Sequence, residues 1–384
     1  MAGIYIHIPF CKKACFYCDF HFSVSFKNKA DIIDGIVLEL QRRKEFFDEK
    51  EVVETIYFGG GTPSVLSMNE LDEILGTVYE TFKVAVNPEI TFECNPDDLT
   101  IDYLKMLKLV GINRLSIGIQ SFNDDHLKWM NRSHTAEQGL QCVRDAASLG
   151  FEDITIDLIY GIPQLDDVAW ESTVKQALQL PINHLSAYSL TMEENTPYKK
   201  LVQQKKYKQP DEDQSSKHYE ILIDQINEAG WEHYEVSNFC KEGNYSKHNT
   251  AYWQQKKYLG IGPSAHSFDL KNRSWNISSN ADYLALISAN KKTFETEELK
   301  EQDRLNETLL TGLRAKWGVN LNELRDTYEY DIVKRFKEEI GYWQSTNWVV
   351  LEKDVLRLTD EGLLFADYIA SELFSDDYSS QTSS

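Results

Sequence analysis

Three of the chain's six cysteines fall within eight residues, as Cys11-Lys12-Lys13-Ala14-Cys15-Phe16-Tyr17-Cys18. The spacing C-x3-C-x2-C puts an odd number of thiols on one short loop, which argues against a set of disulfides. Three close, convergent thiolates can hold three irons of a [4Fe–4S] cube, because such clusters are bound through cysteine sulfur. The run lacks a fourth ligand, so one iron would stay open, and an open coordination position is what metal catalysis requires. The alternatives are a zinc loop or three incidental core cysteines. Structural zinc takes four ligands, and no second C-x2-C follows downstream.

Further polar residues stand at the ends of apolar runs. Phe58-Gly59-Gly60-Gly61-Thr62-Pro63 is a glycine strap whose backbone can approach a ligand closely, with no Cβ in the way. It is neither a P-loop nor a dinucleotide fingerprint, and alone it also reads as a tight turn. Glu93 closes Thr91-Phe92-Glu93, where a carboxylate can accept from hydroxyls or an ammonium, and Gln120 follows Ile117-Gly118-Ile119. Arg132 can pair with a carboxylate through its forked guanidinium. Asp157 lies among apolar residues, where an unpaired charge is costly. For each of these four, a hydrogen-bonded strand cap or a surface charge is the alternative.

Positioning these groups calls for alternating strands and helices. Strand patterns run over Ile4–Ile8, Thr55–Phe58, Glu89–Glu93, Arg114–Ile119, Asp153–Ile159 and His184–Leu190. Amphipathic helical patterns cover Asp31–Phe47, Met68–Phe82, Ile101–Val110, Ala136–Leu149 and Val168–Leu178. Six such units predict a parallel α/β sheet, curved or barrel-like, with its chemistry at the C-terminal strand ends. The cysteine loop, the glycine strap, Glu93, Gln120 and Asp157 all fall there. We expect this unit to span 1–196 and a connecting region 197–299. A helical, winged-helix-like C-terminal unit of α+β character is expected over 300–374, and a disordered tail over 375–384. Net charge is −21 over 384 residues, which disfavours nucleic acid as a partner. No run of about 18 apolar residues is present, so no integral membrane segment is expected. A strand pattern at the very start leaves no room for a signal peptide, and unpaired cysteines suit a reducing cytoplasm.

With these residues in view, the chain resembles the radical S-adenosylmethionine (SAM) proteins. Cys11, Cys15 and Cys18 match their cysteine loop, with aromatic Tyr17 before the third. Tyr5-Ile6-His7-Ile8-Pro9-Phe10-Cys11 and Gly59-Gly60-Gly61-Thr62-Pro63 are similar to the branch holding the oxygen-independent coproporphyrinogen III oxidase and the heme chaperones. The resemblance extends over essentially the whole chain. It implies an incomplete (β/α)6 barrel and a [4Fe–4S] cluster on the three cysteines. SAM would bind the open iron, with contacts from Tyr5, Tyr17, Gly60, Gly61, Thr62, Glu93, Gln120, Arg132 and Asp157. It also implies a flavodoxin or ferredoxin-type reductant.

Within that branch two functions compete: oxidative decarboxylation of a porphyrinogen, and binding of heme for transfer to acceptor hemoproteins. The oxidase carries another cysteine two residues after the third; here that position is Phe20. The oxidase also has an extension ahead of its first barrel strand, for which this chain leaves no length. His248-Asn249-Thr250-Ala251-Tyr252-Trp253 matches the H-N-x-x-Y-W pattern of the heme chaperones. A histidine there can ligate heme iron, while Tyr252 and Trp253 can pack on a porphyrin face. A hydrogen-bonded core histidine is the alternative for His248, and His266 is a second, weaker ligand candidate. No C-x-x-C-H is present, so covalent heme attachment is not indicated. We expect a heme carrier in the cytoplasm, with a peripheral encounter with the membrane during delivery left open.

Overall fold

A computed structural model describes residues 2–375. The six expected strands all form: β1 (Ala2–Ile8), β2 (Val53–Gly60), β3 (Val84–Cys94), β4 (Arg114–Gln120), β5 (Asp153–Tyr160) and β6 (His184–Ser189). They lie side by side in chain order and run parallel, each pair joined by a crossover with a helix. Their apolar residues are buried on both sides, as a parallel sheet covered by helices demands.

The sheet does not stop at six strands. β7 (Glu232–Glu235) and β8 (Asn238–Cys240) add antiparallel strands beyond β6. On the other side β9 (Lys257–Ile261) pairs in parallel with β1. β10 (His266–Phe268), β11 (Asn272–Asn276) and β12 (Phe294–Glu298) continue it as an antiparallel meander. The result is one open twelve-stranded sheet with β12 and β7 as its edges. The expectation of six strands thus understates it, because residues 232–298 extend both sides of the sheet. Short strands such as Asn238–Cys240 carry too little periodicity to stand out in a sequence. Edge strand β12 reads Phe-Glu-Thr-Glu-Glu with its glutamates exposed, which discourages pairing with other chains.

One buried residue ties the β9–β12 extension to the parallel core. Glu39, on helix Lys29–Arg42, is 2% exposed. It accepts from the Gly262 backbone N–H (2.9 Å), Tyr283 Oη (2.7 Å), Asn276 Nδ2 (2.8 Å) and Thr293 Oγ1 (3.2 Å).

A second apolar cluster, around Leu309, Leu324, Trp343, Leu356 and Ile369, forms the C-terminal unit. It comprises helix Glu301–Leu313, several shorter helices and a three-stranded sheet of β13 (Val319–Asn320), β14 (Val349–Glu352) and β15 (Val355–Leu358), ordered β13-β15-β14. Helix Glu301–Leu313 leads directly back to β7 through the Glu235–Ala315 bridge and the Lys316 N–H to Tyr234 carbonyl bond. Of the tail expected to be disordered, only Ser375 lies within the described residues; its N–H donates to Asn306 Oδ1.

Candidate functional site

The loop after β1 is pinned before any ligand is considered. The Cys11 N–H donates to the Ser23 carbonyl (3.0 Å), the Phe16 N–H to the Met130 carbonyl (3.1 Å), and the Tyr198 N–H to the Phe16 carbonyl (2.8 Å). All three cysteine side chains open onto one cavity of about 390 Å³ at the C-terminal ends of the parallel strands. Among the described residues no three metal-ligating side chains gather tightly enough for a single ion.

Donors stand ready beside the sulfurs. Thr62 Oγ1 donates to Cys11 Sγ (3.2 Å), and Arg132 Nη1 lies 3.4 Å from Cys15 Sγ. Burial pushes the Cys11 thiol up to about 11 and the Cys18 thiol up to about 12. Metal binding reverses this, since a coordinating thiol is deprotonated outright. The donor set therefore suits a thiolate-bound cluster.

The same cavity gathers Tyr17, Gly60, Gly61, Thr62, Glu93, Gln120, Arg132 and Asp157. Tyr5 does not line it. Its side chain points into the barrel interior, where its hydroxyl lies 3.2 Å from His7 Nδ1 and its ring stacks on Tyr57. Depth along the strand explains this: Tyr5 pairs with Tyr57 well below the strand ends, so it shares the inner face with Glu93 and Asp157 but sits beneath the cavity. Arg132 reaches the site from a loop in which Asn131 adopts φ 60°, and Asn131 Nδ2 donates to the Ala14 carbonyl of the cysteine loop. The guanidinium bonds Asn95 Oδ1 (2.8 Å) and the Gly118 carbonyl (2.7 Å), and its buried Nε has no partner. Burial opposes its charge, but Tyr17 and Cys15 outweigh burial and keep it protonated. Gln120 holds φ 65° at a bulge where β4 loses register with β5. A left-handed non-glycine costs of order 1–3 kcal/mol, and such outliers concentrate at functional sites.

The glycine strap has a packing reason as well as an open face. A Cβ on Gly60 would meet the His7 ring at 2.5 Å, and one on Gly61 the Phe10 carbonyl at 2.7 Å. The strap is therefore pressed against the strand that launches the cysteine loop. Two carboxylates face the cavity in unusual states. Burial raises Glu93 to about 7, with the Tyr57 hydroxyl bond (2.7 Å) partly opposing it. Burial raises Asp157 to about 6, against Ser186 and Arg114.

Sequence reasoning missed Asn95, which bridges Arg132 and Thr62, and Tyr57, which donates to Glu93. It also missed Cys94, which lines the cavity while its thiol donates to the Phe92 carbonyl. Their adjacency to Glu93 and to the glycine strap was the available signal. A second polar cavity of about 240 Å³ lies deeper in the barrel and is lined by Tyr5, Arg114, His184 and His248.

His248 opens helix Lys247–Trp253, whose first N–H groups are held by Glu89. It is 2% exposed, and both ring nitrogens are engaged, Nδ1 with Thr55 Oγ1 (2.8 Å) and Nε2 with Tyr252 Oη (2.9 Å). Burial, then Arg114, pushes its pKa down to about 3. Tyr252 and Trp253, by contrast, line a third cavity of about 750 Å³ between the β9–β10 side of the sheet and helix Glu301–Leu313.

Comparison with known proteins gives two family matches. Residues 5–177 match the radical SAM superfamily and residues 299–365 match the HemN C-terminal domain. The heme chaperone HemW of Lactococcus lactis subsp. lactis (strain IL1403) is 34% identical over 373 residues, covering 97% of both chains. HemW of Bacillus subtilis (strain 168) is 31% identical over 372 residues, covering 96% of this chain and 98% of the relative. Among solved structures, coproporphyrinogen III oxidase (HemN) from Escherichia coli superposes with a TM-score of 0.83. It is 22% identical, over 97% of this chain and 90% of that one, a likeness of fold.

Proposed function

This chain belongs to the radical SAM superfamily, in the branch of the HemW heme chaperones, and from that premise we propose that it binds heme and passes it to acceptor hemoproteins. Cys11, Cys15 and Cys18 would hold a [4Fe–4S] cluster. Tyr17, Gly60, Gly61, Thr62, Glu93, Gln120, Arg132 and Asp157 would hold exchangeable SAM, and their sharing one cavity supports this. Tyr5 would act from the adjoining barrel interior. When bound, the cluster supplies one electron for reductive cleavage of SAM. The chain's own part is to position. Thr62 and Arg132 donate toward the sulfurs, the Gly60–Gly61 backbone leaves room, and Glu93 and Asp157 offer acceptors out of bulk water.

The observation that carries the carrier reading over the oxidase is Phe20. It takes the place of the oxidase's further cysteine and is 68% exposed, lining both the cysteine cavity and the Tyr252–Trp253 cavity. The end-to-end similarity to HemW points the same way. Tyr252 and Trp253 are the motif residues offered to heme, and His248 acts through its bond to Tyr252. A flavodoxin or ferredoxin-type reductant, a cytoplasmic site of action and peripheral access to membrane-bound acceptors complete the reading. No helix among the described residues is long and apolar enough to cross a membrane. The boundaries at 196/197 and 299/300 would separate the SAM unit, the HNxxYW region and the C-terminal unit.

The test is paired. Reconstituted protein is given SAM, reductant and coproporphyrinogen III, and no decarboxylated product is expected. Hemin-loaded protein is mixed with an apo-hemoprotein, and the Soret band should move to that of the acceptor. Decarboxylation turnover would sink the carrier reading.

A further inference from the structure

The third cavity, at about 750 Å³, lies within the range of sites that enclose a ligand of drug or cofactor size. Its walls are aromatic: Tyr252, Trp253, Tyr258 and Phe268 line it, with the Tyr252 and Tyr258 rings 4.5 Å apart and edge-on. Three histidines border it. His7 has both nitrogens engaged, by Tyr5 Oη and the His21 carbonyl, and His21 Nε2 is bonded to Asn280 Oδ1 (2.8 Å). His266, on β10, is exposed and makes no side-chain hydrogen bond among the described residues, so both its nitrogens are free to ligate. Arg273 lies on the same cavity, paired with Glu307 (3.0 Å), and its buried Nε is without a partner. The cavity touches the cysteine loop through Asp19 and Phe20, which line both spaces.

We propose that heme is seated in this cavity with His266 as an axial ligand to its iron, the aromatic rings against the porphyrin and Arg273 beside a propionate. This rests on the reading of the chain as a heme carrier. The assignment follows from elimination among histidines. His248 is spent on Thr55 and Tyr252 behind the wall, His7 is spent within β1 and the cysteine loop, and His21 has Nε2 held by Asn280, which leaves His266 as the cavity histidine with both nitrogens open. A planar apolar disc with a metal centre and an acidic rim fits aromatic walls, one free imidazole and one cation. Phe20 then has a use for its exposed ring, as a partition between the porphyrin edge and the cluster.

The test titrates hemin into the full-length, cluster-loaded protein and follows difference spectra. His266→Ala should lose the histidine-ligated Soret position and bind hemin roughly tenfold or more weakly, the scale on which metal sites respond to lost support. Added imidazole should restore the band position. Leu310→Trp, which fills the cavity from helix Glu301–Leu313, should weaken binding to a similar degree. Both variants should keep wild-type iron and sulfide content, because neither residue lines the cysteine cavity. A His266→Ala protein with wild-type band and affinity would overturn this seat while leaving the carrier reading intact. Failure of the wild type itself to take up hemin would overturn the carrier reading.

Discussion

Replacing Glu39 by alanine should loosen one side of the sheet without touching the cysteine cavity. Three donors would be stranded in the interior: the Gly262 N–H, the Tyr283 hydroxyl and the Thr293 hydroxyl. Asn276 would retain the Gly262 carbonyl as a partner (2.7 Å). Each buried donor without a partner costs roughly 1–3 kcal/mol. Water entering the vacated space recovers part, so about 4 kcal/mol remains, at the upper end of single-residue effects. The loss is local, because all three donors belong to the β9–β12 extension or to helix Asn280–Ser288 packed beside it. Hydrogen–deuterium exchange read by mass spectrometry reports local opening directly. Peptides covering residues 257–298 should exchange roughly a thousandfold faster, at about 1.4 kcal/mol per decade. Peptides from β5 should be unchanged. Glu39→Gln keeps one oxygen for Thr293 and Asn276 and should fall between the two proteins. Protection over 257–298 equal to wild type in Glu39→Ala would refute the anchoring argument.

Three further outcomes are expected. Alanine at Cys11, Cys15 or Cys18 should abolish iron and sulfide incorporation in anaerobic reconstitution. Cys94→Ala should not, since that thiol is spent on the Phe92 carbonyl. Gly61→Ala should also lose the cluster, because its Cβ would press on the backbone of Phe10, next to Cys11; Gly76→Ala, with nothing within 4 Å, should load normally. For His248, burial lowers the folded-state pKa to about 3, below its ordinary 6.5. Its contribution to stability is therefore complete above pH 6.5 and is lost as pH falls from 6.5 towards 3. Over the two pH units to 4.5 this is roughly 2–3 kcal/mol. In urea unfolding, the stability gap between wild type and His248→Gln should close by that amount between pH 7 and pH 4.5. A gap independent of pH would show that His248 does not titrate as a buried neutral ring.

The cysteine loop, the six parallel strands and the polar strand ends could be read from the chain because their signals are local. Spacing on one loop brings Cys11, Cys15 and Cys18 together whatever else happens, and apolar runs between helical periods make a parallel sheet nearly obligatory. Glu93 and Gln120 were legible for the same reason, each at the end of its own strand, and Asp157 as a lone carboxylate in the apolar run of β5. Depth along a strand and long-range partners were not. Tyr5 lies beneath the cysteine cavity because it pairs with Tyr57 midway along the strand. His248 became a buried, doubly bonded ring because Thr55, 193 positions away, stands opposite one nitrogen. The cavity beside His266 exists only because β9 returns to pair with β1 and helix Glu301–Leu313 lies over it. Contacts made across hundreds of residues leave no period in a sequence. Folding alone decided which histidine was spent on structure and which was left free.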